Sequence, residues 1–193
     1  MEILKDHKIQ TNRCLLRIVS KEDIPHVFSA SRVKGFTDGM LWEPPERESE
    51  LEEAFERSIK RWEMGTAYSF TIEDKLSKSF IGRISIRKED TEENLWDIGF
   101  WTHPVHQNKG YMSEVLPPVI DFGFAQLNAE NVQACHAKWN KASQAVLENA
   151  GMKFVRSNPE GFKKRGQWVE ENILSISKSD WIEAHNKIGA TER

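Results

Sequence analysis

The chain has little cysteine: Cys14 and Cys135 are its only two among 193 residues. They stand too far apart for any metal-knuckle spacing, and a reducing cytoplasm is the expected compartment. It has no apolar run of about 18 residues, so no helix is expected to span a membrane. The first ten residues, MEILKDHKIQ, are charged and carry no apolar stretch, so no secretory signal is expected. Neither sign of charge prevails. Lys and Arg number 27 and Asp and Glu 30, a formal net charge of −3. A nucleic-acid binder would carry a strongly basic surface, so direct nucleic-acid binding is not expected. Internal repeats and low-complexity stretches are missing as well.

What is present is aromatic bulk. Seven Trp and ten Phe bring the burial area that a packed core needs, which argues against wholesale disorder. A length of 193 residues and 22.4 kDa fits one domain.

Hydrophobic spacing and turn residues divide the chain. Thr11 to Val19 reads as a strand, Asp23 to Arg32 as a short helix and Gly35 to Pro45 as a loop. Leu51, Ala54, Phe55, Ile59 and Trp62 share one helical face, and Gly65 ends that helix. Ala67 to Ile72, Phe80 to Ile86 and Leu95 to Thr102 read as strands, the last after a charged loop, RKEDTEEN. An apolar helix runs from near Asn108 to about Gln126. Asn131 to Ala137 reads as a strand and Lys141 to Asn149 as a short helix stopped by Gly151. Lys153 to Ser157 and Trp168 to Ser177 suggest a closing hairpin around a polar loop, NPEGFKKRG, with a terminal helix from Asp180 to Ile188. This order implies an α/β or α+β layer fold around a mixed sheet. The unit from Leu95 to Ala137 is long enough for a crossover between parallel strands. Pro117 and Pro118 conflict with their helix. Each removes a helical bond and clashes with the preceding turn, at about 3 kcal/mol, which predicts a kink or a widened turn.

Two segments carry chemistry. In the first, Trp96 to Thr102 runs through a short turn, Gln107-Asn108-Lys109-Gly110, into a helix opening Tyr111-Met112-Ser113-Glu114. Free N–H groups at a helix start, with the helix dipole, make an anion site. Gly110 lets a phosphate approach the backbone, and Lys109 could add charge. The alternative is an ordinary turn with a glycine. The segment is neither a Walker loop nor a dinucleotide fingerprint. In the second, Asn140, Ser143 and Gly151 open and close a helix directly after a strand. Capping alone accounts for Asn140 and Gly151.

Taken together, the two segments resemble the GNAT superfamily of acetyl-coenzyme A-dependent N-acetyltransferases. Within it the chain resembles the RimJ/RimL-like ribosomal-protein N-terminal acetyltransferase group. Gln107-Asn108-Lys109-Gly110-Tyr111-Met112 fits the superfamily's pyrophosphate loop except at Met112, where a small residue is usual. Gly110-Tyr111-Met112-Ser113-Glu114 fits the group's Gly-Tyr-x-x-Glu, and Ile98-Gly99-Phe100-Trp101 its preceding strand. Asn140 to Met152 and Thr11-x-Arg13-x-x-Leu16-Arg17 with Asp23 complete the match, over about residues 11–182 of a domain spanning 1–193.

The resemblance implies a single GNAT-like domain. Its sheet would have about seven strands, mixed but mostly antiparallel, splayed in the middle, with helices on both faces. It implies acetyl-CoA as cosubstrate and no metal. The backbone of Phe100, Trp101 and Thr102 would hold the pantetheine arm and the acetyl carbonyl. Gln107, Asn108, Lys109, Gly110, Tyr111, Met112 and Ser113 would form the pyrophosphate site, and Asn140 would contact the pantetheine arm. Met112 would have to point its bulk away from the phosphates.

The reaction needs a neutral amine and a proton for the departing thiolate. The Tyr that many superfamily members carry seven residues after the Asn is Leu147 here. Ser143 is the candidate acid, with first-turn capping as its alternative. Asp97, His136 and Glu170 are candidate bases, though a paired carboxylate or a packed imidazole is the commoner explanation for such residues. Freeing an α-amine at pH 7 costs about 1 kcal/mol, against between four and five for a lysine amine. A site without a strong base therefore suits an α-amine.

The expected acceptor is a protein N-terminus. The alternatives are a small amine (polyamine, amino acid or antibiotic) or a non-catalytic CoA-binding interaction module. A homodimer is compatible with all three. The acidic run from Glu43 to Glu56 could dock a basic peptide or simply be a solvated face. Lys163-Lys164-Arg165 reads as solvated, and Trp42 and Trp101 as candidate walls of an acceptor pocket. His103 and His106 are too weak a pattern for a metal.

Overall fold

Alternation decides how the central strands sit. In the computed structural model, Ala67–Asp74 places Tyr68, Phe70 and Ile72 on one face and Ala67, Ser69 and Thr71 on the other, all buried. Both faces must therefore be covered, and helices cover them. The structure describes residues 3–89 and 94–191, and for 185–191 the backbone alone. The charged loop expected before Leu95 falls partly on residues 90–93, outside the described residues.

Among the described residues there are eight strands: β1 (Ile9–Gln10), β2 (Cys14–Ile18), β3 (Ala67–Asp74), β4 (Phe80–Lys88), β5 (Leu95–Thr102), β6 (Asn131–Ala137), β7 (Lys153–Lys164) and β8 (Gln167–Ser177). The five α-helices are α1 (Ile24–Ser31), α2 (Glu52–Glu63), α3 (Tyr111–Gln126), α4 (Lys141–Asn149) and α5 (Lys178–Thr191). One sheet runs in the order β1-β2-β3-β4-β5-β6-β8-β7. Every pair is antiparallel except β5 with β6, which α3 connects. The eighth strand beyond the expected seven is the two-residue β1.

On one face the apolar side of α3 (Val115, Leu116, Val119, Ile120) packs on Phe70, Ile72, Ile84, Ile86 and Ile98. On the other, Val27 of α1 and Phe55 of α2 pack with Val19 and Phe80. Trp62 closes the end of the main core, and its Nε1–H donates to the Ile3 carbonyl at 3.0 Å. The start of α1 is pinned through Asp23. Its carboxylate takes the Ser20 N–H, the Thr71 hydroxyl and both terminal nitrogens of Arg17.

Three expectations change. The predicted kink or widened turn at Pro117–Pro118 is not found: α3 is one uninterrupted α-helix. Pro117 leaves the carbonyl of Ser113 without its helical donor, but Ser113 is an exposed residue, so the loss is cheap. Buried Val115, Leu116, Val119 and Ile120 hold the helix on the sheet. The polar loop NPEGFKKRG is mostly strand. Pro159 and Gly161 sit where the β7–β8 register shifts between Asn158 and Phe162, the place where a sheet tolerates such residues. The turn itself is Arg165–Gly166, both with positive φ (48° and 80°), as a two-residue hairpin requires. Finally, Lys164 is not solvated. It is buried, and its Nζ donates to the carbonyls of Met40 and Trp42 and pairs with Glu43 at 3.1 Å. With Arg165–Asp38, it ties the hairpin to the loop between α1 and α2.

Candidate active site

The parallel pairing of β5 and β6 stops early. Leu95 to Ile98 pair with Asn131 to Ala134, and beyond them the strands part. Phe100, Trp101 and Thr102 on one side, and Cys135 and His136 on the other, line a cleft of about 750 Å³. β4 stays paired with β5 as far as Thr102. Gly82 permits this, because a Cβ there would lie 2.3 Å from the Trp101 carbonyl oxygen. The loop between α1 and α2 reaches across to Trp139, where a Cβ on Gly39 would meet the indole at 3.2 Å.

The turn leading into α3 forms the cleft's second wall. Asn108 (φ 59°) and Gly110 (φ 75°) are left-handed, and no side chain caps the helix at Gly110. The first-turn N–H groups are therefore open to a ligand. The Gln107 side chain donates to the Thr102 carbonyl at 3.2 Å. Lys109 is turned back, its Nζ donating to Val105 O at 2.9 Å. Tyr111 lies under the Arg13 guanidinium, 4.5 Å from its carbon, and its hydroxyl donates to Asp74 at 3.3 Å. Met112 is buried in the core. Thus Gln107 to Ser113 all line the cleft, but the Lys109 ammonium is engaged within its own loop.

An unexpected latch holds this loop from behind. Glu114 accepts from the Thr11 hydroxyl, from the Arg13 N–H (2.6 Å) and from Arg13 Nε. Arg13 Nη1 then donates to the Lys109 carbonyl at 3.0 Å. Burial alone would raise the Glu114 pKa. The hydrogen bonds and the Arg13 charge outweigh it and hold the carboxyl below its ordinary value.

The start of α4 forms the third wall. Asn140 caps it, its Oδ1 accepting from the Ser143 N–H at 3.1 Å. Ser143 lines the cleft. His136 is buried beside it. Its Nδ1 lies 2.8 Å from the Ala137 carbonyl, which can only accept, so Nδ1 carries a proton. Nε2 is buried and, among the described residues, has no partner.

Asp97 does not line the cleft. It lies in β5 below Gly99, paired with Arg87 at 2.7 Å. Loss of water pushes its pKa to about 7, against the pull of Arg87, with Glu89 and Glu171 adding to the rise. Glu170 is engaged with Lys138 at 2.8 Å. Its neighbour Glu171 was not legible from the sequence. Burial raises its pKa, and its charge reaches Asp97, Cys135 and His136. Only the pairing of β8 with β6 brings it there. Desolvation, with Asp97 and Glu171 nearby, pushes the Cys135 thiol up to about 12.

Comparison with known proteins adds relatives to this geometry. A family model described as an acetyltransferase (GNAT) domain matches residues 13–153. YnaD of Bacillus subtilis (strain 168), an uncharacterized N-acetyltransferase, is 30% identical over 89 residues, 46% of this chain and 52% of that protein. The match thus spans about half the length of that relative. Two solved structures share the fold. RimL, a ribosomal L7/L12 α-N-protein acetyltransferase in complex with coenzyme A, superposes with a TM-score of 0.80 at 16% identity, covering 89% of this chain and 98% of that one. Spermidine N-acetyltransferase from Vibrio cholerae, with CoA and spermine, gives 0.76 at 20% identity, covering 88% and 98%.

Proposed function

The chain belongs to the GNAT acetyltransferase family, and from that premise we propose that it transfers acetyl from acetyl-coenzyme A to a protein N-terminal α-amine. One observation carries the reading. The sheet opens beside a helix start with no side-chain cap, and His136 of β6 lines the same cleft, its Nε2 without a partner among the described residues. An extended pantetheine arm needs a free strand edge, which Phe100 to Thr102 offer. A pyrophosphate needs unpaired N–H groups, which the turn from Asn108 and the first turn of α3 offer. Asn140 stands beside the arm's path.

Acetyl-coenzyme A, when bound, supplies an acetyl group activated as a thioester. The chain's own groups supply the rest. His136 Nε2 has a lone pair free to take a proton from the acceptor amine, its tautomer fixed by Ala137. The Ser143 hydroxyl, in the first turn of α4, holds a proton for the departing sulfur. A single imidazole suits an α-amine, which is already partly deprotonated at pH 7.

A small-amine acceptor is the second reading, favoured by the likeness to spermidine N-acetyltransferase. A panel of N-terminal peptides, polyamines, amino acids and aminoglycosides, read by mass spectrometry, decides between them. Acetyl on peptide α-amines is the expected result, and acetyl on polyamines alone overturns it. Coenzyme A binding with no transfer to any acceptor would make the chain a non-catalytic binding module.

A further inference from the structure

A second cavity, of about 480 Å³, opens on the face of the sheet under α1 and α2. Val27, Trp42, Leu51 and Phe55 line it, together with Arg83. Trp101 belongs to both this cavity and the cofactor cleft. Arg83 and Trp101 are direct cross-strand partners in β4 and β5, so their side chains leave the sheet side by side.

Arg83 differs from the other arginines of this face. Arg17 is paired with Asp23 and Glu73, and Arg87 with Asp97. Arg83 stacks on the Phe55 ring at 4.7 Å and, among the described residues, has no ion pair or hydrogen bond. Asp23 touches it only through its field, because four donors already fill that carboxylate. The rim carboxylates are engaged too. Glu43 pairs with Lys164, and Glu50 accepts from the Glu46 N–H and lies 3.4 Å from Arg47 Nε. Arg83 is half-buried, and the apolar lining pulls its pKa down to about 10 against the more distant Asp23 charge. An unpaired guanidinium presents a planar fork of donors that matches a carboxylate.

We infer that Arg83 is the anion-binding floor of an acceptor subsite, and that the preferred acceptor carries a carboxylate close to the amine that is acetylated. The inference rests on the acetyl-transfer reading and narrows its substrate class. The carboxylate has two possible sources: an acidic side chain near a peptide N-terminus, or the carboxyl group of a small amino acid.

Matched acceptors test it. Peptides with Glu or Gln at the second or third position, and free amino acids against their amides, are assayed in parallel for acetyl transfer. Binding of each to the coenzyme A-loaded protein is measured by calorimetry. Wild type, Arg83→Gln and Arg83→Lys are compared. Wild type should favour the carboxylate member about tenfold or more in KM, with kcat little changed. Arg83→Gln should level the pair, and Arg83→Lys should restore part of the preference. A preference confined to peptides identifies an acidic N-terminus; one confined to free amino acids identifies the small acceptor.

Wild type without a preference overturns the inference, whatever the variants do. So does an Arg83→Gln that weakens both members equally. If nothing is acetylated but the carboxylate preference appears in binding and vanishes in Arg83→Gln, the subsite stands and acetyl transfer falls. If both members are acetylated equally well, acetyl transfer stands and the subsite falls.

Discussion

Two helices begin at the same cleft, and they begin differently. α4 starts at Asn140, whose side chain takes the Ser143 N–H. α3 starts at Gly110, which has no side chain to offer. Both carry the positive end of a helix dipole toward the cleft. In α4 the chain meets part of its own need, and what remains to present is a hydroxyl. In α3 the need is left open, which is the condition for a phosphate. A helix start can offer an anion site partly by omission, provided something else holds it in place. Here that is Glu114, one turn in, fastened to Thr11 and Arg13.

Filling the open start should have the largest effect. Gly110→Glu places a side chain and a negative charge where φ is 75°, a conformation L side chains rarely adopt. Coenzyme A affinity should fall by about a hundredfold or more, measured by calorimetry on protein whose circular dichroism is unchanged. Retained affinity would sink the pyrophosphate assignment. On α4, Ser143→Ala should lower kcat by about a hundredfold and leave the KM for acetyl-coenzyme A alone. An unchanged kcat with a good acceptor would return Ser143 to a capping role.

Releasing the latch is the third case. Glu114→Gln should weaken coenzyme A binding about tenfold, because the loop shifts rather than disappears. The variant also predicts a pH signature. The Glu114 pKa is depressed in the fold, so its contribution is fully present above the unfolded value. It is lost as pH falls through the folded one. The stability gap between wild type and Glu114→Gln should therefore shrink on acidification from about pH 6 toward pH 3, followed by urea denaturation. A gap that widens would contradict the latch. The smallest effect belongs to the capped start: Asn140→Ala should cost about 1 kcal/mol of stability.

Much of this was legible in the sequence where local signals and tertiary needs agree. β6 and α4 fall on the expected residues because Asn140 opens the helix and Gly151 (φ 85°) closes it. The open loop was legible through Gly110. Elsewhere one local rule gave way to packing. Pro159 and Gly161 look like a loop until a register shift absorbs them. Pro117 and Pro118 look like a break until a buried face holds the helix across them. The hidden part of the site depends on cross-strand neighbours. Arg83 beside Trp101, and Glu171 near Asp97, are separated by 18 and 74 residues in the chain, and no sequence spacing encodes such pairs. Lys109 looked phosphate-facing because a sequence gives a charge but no rotamer.

The parting of β5 from β6 has a cost of its own. It leaves two strand edges inside the sheet, where edge-guarding lysines or prolines have no place between Gly99–Thr102 and Cys135–Ala137. Such edges recruit other chains as readily as they recruit a ligand. A cosubstrate lying between them would be a missing strand as well as a reagent, and supplying it during refolding should raise the yield of monodisperse protein.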